Sequence, residues 1–127
     1  MQYGFSKTVD LTFEQAIEKV TTELKVEGFG VLTTIDVKDT LKKKLDVDFK
    51  KYVILGACNP PFAHKALQAE EEIGLLLPCN VIVYEKGNQT AVSIFNPMVM
   101  TSILENDAMK PIAEEVKQRL ERVLAAV

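Results

Sequence analysis

Tryptophan is absent, histidine occurs once, and 127 residues carry only two cysteines and five prolines. Two cysteines are too few to staple a small scaffold, so the fold must rest on an apolar core, and the thiols are expected to be reduced. Without tryptophan, no aromatic-rich strand offers a platform on which nucleic-acid bases would stack. One histidine allows no Ser-His-Asp arrangement to be argued from spacing. No apolar run approaches the roughly 18 to 20 residues that span a bilayer. The first residues, Met1 to Lys7, lack a basic stretch followed by a long apolar one, the pattern of a signal peptide. Cytoplasmic residence with no membrane partner is therefore expected. Positive charge is also scarce: the net charge is −3. Lys42-Lys43-Lys44 and Lys50-Lys51 are small clusters that read as solvated faces, so no nucleic-acid partner is expected. The signatures GxGxxG, Walker A, HExxH and GxSxG are missing, and whether the chain is an enzyme stays open.

What is present is an ordinary globular composition, 47% apolar and 26% charged. That length and balance suit one domain over residues 1–127 with one core. Tyr3 to Val9 alternates as a first strand. Thr12-Phe13-Glu14-Gln15 fits a capping box. Phe13, Ala16, Ile17, Val20 and Leu24 then recur on one face of a helix, and Gly28 supplies its left-handed stop. Val31 to Ile35 is a β-branched strand, Asp39 to Leu45 a short helix, and Phe49 to Leu55 a strand that ends buried on both faces. Asn59-Pro60-Pro61 opens a helix expected to run to Glu72, with asparagine as its cap. Ile73 to Pro78 reads as a buried connection. Asn80 to Glu85 and Thr90 to Phe95 form a hairpin across Lys86-Gly87-Asn88-Gln89. Asn96 to Asp107 reads as irregular. Met109, Ile112, Val116, Leu120, Val123 and Val127 trace a final amphipathic helix. The order β-α-β-β-α-β-β-α predicts an α+β fold: a two-layer arrangement of a mixed sheet with helices mainly on one face.

Both cysteines lie beside proline at the ends of regular structure. If Asn59 caps the helix, Cys58 sits just outside its N-terminus, where unpaired amides and the positive dipole end stabilise a thiolate or an anion. A buried cysteine filling a tight turn is the bland alternative. Cys79 enters a strand and, if it faces Cys58, the pair forms a redox disulfide, binds a metal, or shares a buried wall. His64 is the weak third member of a metal trio with Cys58 and Cys79, because helical geometry turns it away from the apolar face. Met98 and Met100 are thioether alternatives for a soft metal, or loop residues packing on the sheet.

The paired motifs Gly56-Ala57-Cys58-Asn59-Pro60 and Gly74-Leu75-Leu76-Leu77-Pro78-Cys79-Asn80-Val81, followed by Val83-Tyr84-Glu85, resemble the family catalogued as domain of unknown function 302. The likeness spans nearly the whole chain. It implies a two-layer α/β fold, frequently an intertwined or swapped dimer, and no established reaction. Cys58, Asn59, Pro60, Gly74, Leu77, Pro78 and Cys79 are the positions that carry it. The leading expectation is thus a small homodimer that binds a small polar or anionic ligand near Cys58, Asn59 and Cys79, with no cofactor assigned. The alternatives are a thiol redox or transfer enzyme using Cys58 and Cys79, and a soft-metal-binding protein.

Overall fold

Each helix and strand begins from a local signal that the computed structural model, which describes residues 2–127, realises in three dimensions. Strand β1 (Gly4–Val9) leads to helix α1 (Phe13–Val26). The expected capping box is complete there: Gln15 N donates to Thr12 Oγ1 at 3.1 Å, and Thr12 N donates to Gln15 Oε1 at 3.0 Å. Ala16, Val20 and Leu24 are the residues α1 buries. The helix stops at Gly28, whose φ of +86° is the left-handed conformation glycine tolerates. The N–H of Phe29 then closes back onto Leu24 O at 2.8 Å, the geometry of a glycine-terminated helix.

Strand β2 (Gly30–Asp36) runs directly into α2 (Val37–Leu45), with the Asp36 carboxylate accepting from Asp39 N at 2.9 Å. Strand β3 (Tyr52–Cys58) starts three residues later than the apolar run suggests. Its alternation explains the difference: Val53, Leu55 and Ala57 are buried, whereas Tyr52, Ile54 and Cys58 are only partly so. The run is therefore buried on one face, and Cys58 is the last strand residue rather than a turn residue.

Helix α3 (Pro60–Ala69) ends short of the expected Glu72. Glu70 is extended, at φ −148° and ψ 102°. Three successive glutamates would place negative charge at a negative helix end, so continuing α3 through them is unfavourable. A 3₁₀ segment, Glu71–Leu76, follows instead. Ile73 is buried within it, but Leu75 is 83% exposed, so the connection is only half buried. Strands β4 (Cys79–Lys86) and β5 (Gln89–Phe95) form the hairpin, with Lys86 facing Gln89 and Gly87 at φ +63° in the turn. The stretch read as irregular holds a short helix, α4 (Val99–Ile103), entered through a turn in which Met98 N donates to Asn96 Oδ1 at 3.0 Å. Helix α5 (Met109–Ala126) buries Met109, Ala113, Val116, Leu120 and Val123, close to the predicted stripe.

The five strands lie in the order β1-β5-β4-β3-β2. Every neighbouring pair is antiparallel, so the α+β class stands while the sheet is antiparallel throughout rather than mixed. Helix α5 touches both α1 and α3, and α1 and α5 also touch the sheet. Their inner faces enclose the main core of Val20, Leu24, Val81, Val92, Leu120 and their neighbours. A second cluster, Ala66, Ile73, Met100 and Met109, fills the space beneath α4.

Candidate functional site

Pairing of β3 with both β2 and β4 places the two cysteine motifs side by side. Ala57 faces Cys79 across the β3–β4 ladder, and Cys58 faces Gly30 across β2–β3. A shift in register between Val31 and Thr33 marks a bulge in β2. Gly56 is what permits the close approach here: a Cβ on it would lie 2.8 Å from Pro78 Cγ and would collide with the Thr33 side chain.

A cavity of about 260 Å³ opens where these strand ends meet the helix layer. Ala57, Cys58, Cys79 and Pro78 form its sheet side. Phe62, Ala63, Ala66 and Leu67 of α3 form the facing wall, and Ile112 and Val116 of α5 the floor. Phe29, Leu32, Leu77 and Met100 complete it, and no charged residue is among the lining. Asn59 is the one polar amide in the wall, and it is buried.

The structure therefore brings together Cys58, Asn59 and Cys79, but not His64. His64 is exposed on α3 and absent from the lining. Among the described residues, no three of the His, Cys, Asp and Glu side chains form a group that could hold a metal.

Asn59 does not cap α3. Its side chain makes no capping bond; instead its Nδ2 donates 3.2 Å to the main-chain carbonyl of Glu27, at the end of α1. That carbonyl also accepts from Arg119 Nη1 at 3.1 Å, and the Glu27 carboxylate accepts from Arg122 Nη2 at 2.9 Å. The Arg122 hydrogen bond holds the Glu27 carboxyl below the ordinary carboxylate range. Arg119 also lies over the Phe62 ring, 5.3 Å from its centroid. One helix end thus ties α5 and the β3–α3 turn together.

The anion expected at the start of α3 lacks donors. Pro60 and Pro61 have no N–H, and Ala63 N is already bonded to Asn59 O at 2.9 Å. Of the first four helical residues only Phe62 offers a free amide, and no cation lines the cavity. The wall is suited to apolar groups, with polarity confined to Asn59 and the thiols. Cys79 is equally unsuited to attack: burial pushes its thiol up to about 12, with Cys58 adding to the shift. A resolving thiol must ionise to react, so a Cys58–Cys79 exchange couple is disfavoured. Cys58 is only partly buried.

The walls contributed by Phe29 and Leu32 were not legible as site residues, because each reads locally as core or strand. Leu77, a family position, and Met100, a possible thioether ligand, were singled out, but not as walls of one apolar space.

The family described as Domain of unknown function DUF302 matches residues 5–127. The chain belongs to that family. A solved relative, the crystal structure of uncharacterized conserved protein DUF302 from Bacillus stearothermophilus, superposes with a TM-score of 0.92 at 31% identity. The alignment covers 99% of this chain and 98% of that one. The DUF302 fold is thus shared over essentially the whole chain. Comparison with curated proteins finds no match. No helix among the described residues is long and apolar enough to cross a membrane.

Proposed function

We propose that this DUF302 protein is a cytoplasmic homodimer that binds a small molecule with an apolar body, held in the cavity between β3, α3 and α5. The observation that carries this reading is the lining: a space of about 260 Å³ whose wall holds no charged side chain. An apolar cavity of about 150 Å³ stays dry and takes up benzene, and drug-sized pockets begin near 300 Å³. The occupant is therefore a molecule of one or two fused rings or a short branched chain. The polar part of the expected ligand is confined to the Cys58–Asn59 end.

A second copy supports itself on α2 and the neighbouring sheet. Helix α2 buries none of its own residues. Beside it Ile35, Leu45, Val47 and Phe49 are exposed. Tyr52 and Tyr84 stack at 5.2 Å between adjacent strands, and neither belongs to the core clusters. Exposed large apolar side chains clustered in sequence around α2 are characteristic of an interface. Of the charges around it, Asp39, Lys42, Lys43, Asp46 and Asp48 are paired within the chain, which leaves fewer free charges to desolvate in a self-complementary contact. Two free thiols fit a reducing compartment.

Titration of the isotope-labelled protein with naphthalene tests the cavity. Shifts confined to the methyls of Ala57, Ala63, Ala66 and Val116 are expected. Unmoved methyls at saturating naphthalene would remove the reading. Sedimentation equilibrium tests the dimer, and a monomer at high concentration would remove that part.

A further inference from the structure

Asn59 lines the cavity and leaves one hydrogen-bonding atom, Oδ1, unused among the described residues. The residue is 6% exposed. Its Nδ2 donates to a carbonyl, Glu27 O, which fixes the amide's orientation, because only the NH₂ end can serve a carbonyl. Its Oδ1 accepts from nothing among the described residues. The usual partner of such an oxygen is the second or third helical amide. Here the second belongs to Pro61 and does not exist, and Phe62 N makes no bond to it. Among the described residues, no side-chain oxygen or nitrogen that is sealed from solvent lacks a partner. Oδ1 therefore keeps contact with solvent-accessible space, and the cavity is a space that Asn59 lines.

We propose that the ligand is a small aromatic alcohol of the phenol or naphthol class, whose hydroxyl donates to Asn59 Oδ1 while its ring lies among Phe29, Phe62 and Met100. This rests on the cavity-binding reading above and names the ligand class. A carboxylate would set acceptor against acceptor, in a wall with no cation to offset it. A pure hydrocarbon would dry Oδ1 without replacing its water, the cost that makes a buried unpaired acceptor unfavourable. An aromatic ring suits the lining better than an alkyl chain. Phe29 and Phe62 supply ring contacts, and the sulfurs of Met100, Cys58 and Cys79 share the same wall.

The test compares 1-naphthol with 1-fluoronaphthalene, nearly equal in shape but lacking the donor, by calorimetry on the full chain. Naphthol is expected to bind about tenfold tighter, the size of one hydrogen bond to a buried acceptor. In Asn59→Leu that preference should fall to near unity. If Asn59→Leu does not fold, the wild-type protein still decides: naphthol, but not fluoronaphthalene, should shift the Asn59 side-chain amide resonances. Equal affinities with unmoved Asn59 resonances would overturn the hydroxyl pairing and leave the cavity reading intact. Failure of both compounds to bind, with cavity methyls unmoved, would overturn both.

Discussion

Asn59 Nδ2 and the main-chain oxygen of Glu27 are 3.2 Å apart, and they join the end of α1 to the start of α3. The bond takes an asparagine that the local sequence marks as a helix cap and turns it into a strut between two elements 32 residues apart. It depends on Gly28, because a Cβ there would come within 3.1 Å of Asn59 Nδ2.

Gly28→Ala should destabilise the protein by about 1–2 kcal/mol from the left-handed backbone alone. Displacement of Asn59 should add to that cost. Urea denaturation measures the first effect. Loss of the Asn59 side-chain amide signal at its wild-type position reports the second. An unchanged midpoint would mean the helix end re-forms without the left-handed residue.

Stability should fall in alkali through Cys79. Its folded pKa is raised from 9.0 to about 12, so between those values the folded state holds a proton that the unfolded state releases. The contribution is complete below about pH 9 and is lost as pH rises toward 12, by at most about 1.4 kcal/mol per pH unit. Denaturation of wild type and Cys79→Ala across that window checks the sign: the wild-type curve should be the steeper. In native alkylation, Cys58 should label while Cys79 waits for unfolding, as their exposures require.

Ala66→Leu should close the cavity. Ala66 is buried, and it lines the space from α3. Added methyl groups occupy volume a ligand would use, so naphthalene binding should be lost. Because the methyls enter existing space, the stability change should stay within about 1–2 kcal/mol. Thermal denaturation and titration together separate loss of binding from loss of fold.

Ile35→Lys combined with Leu45→Lys should yield a folded monomer. Both side chains are exposed, at 49% and 65%, so each change should alter monomer stability by no more than about 0.5 kcal/mol. Charge placed in an apolar dimer contact would be desolvated without a partner. Sedimentation velocity reads the outcome. A dimer of wild-type affinity would place the interface elsewhere.

Where a signal was local, it was readable in the chain. The capping box at Thr12, the stop at Gly28, the Gly87 turn and the stripe of α5 each involve residues within a turn or two of one another. The two proline-flanked cysteine motifs were legible as candidate positions, on their own residues and through family likeness. Expectations failed where a second element intervened. Asn59 was drawn away from its cap by Glu27, which belongs to another helix. The glutamates after Ala69 carried a readable warning, their unfavourable place at a helix end, yet the 3₁₀ turn that resolves it depends on Ile73 finding the second core cluster. The cavity as a space was not legible, since its walls come from stretches of chain as far apart as Phe29 and Val116.

Sequence alone determined the α+β class, the order of elements and the choice of Cys58, Asn59 and Cys79 as candidates; that they share one neighbourhood came from the pairing of β3 with β4. Capping, glycine stops and apolar periodicity act over a few residues and leave their pattern in the chain. Tertiary structure alone decided that the sheet is antiparallel throughout, that Cys79 is buried while Cys58 is partly exposed, and that both line one largely apolar space. Burial, exposure and strand pairing follow from which surfaces meet. The exclusion of water and the fate of a polar atom are set by neighbours brought from far along the chain.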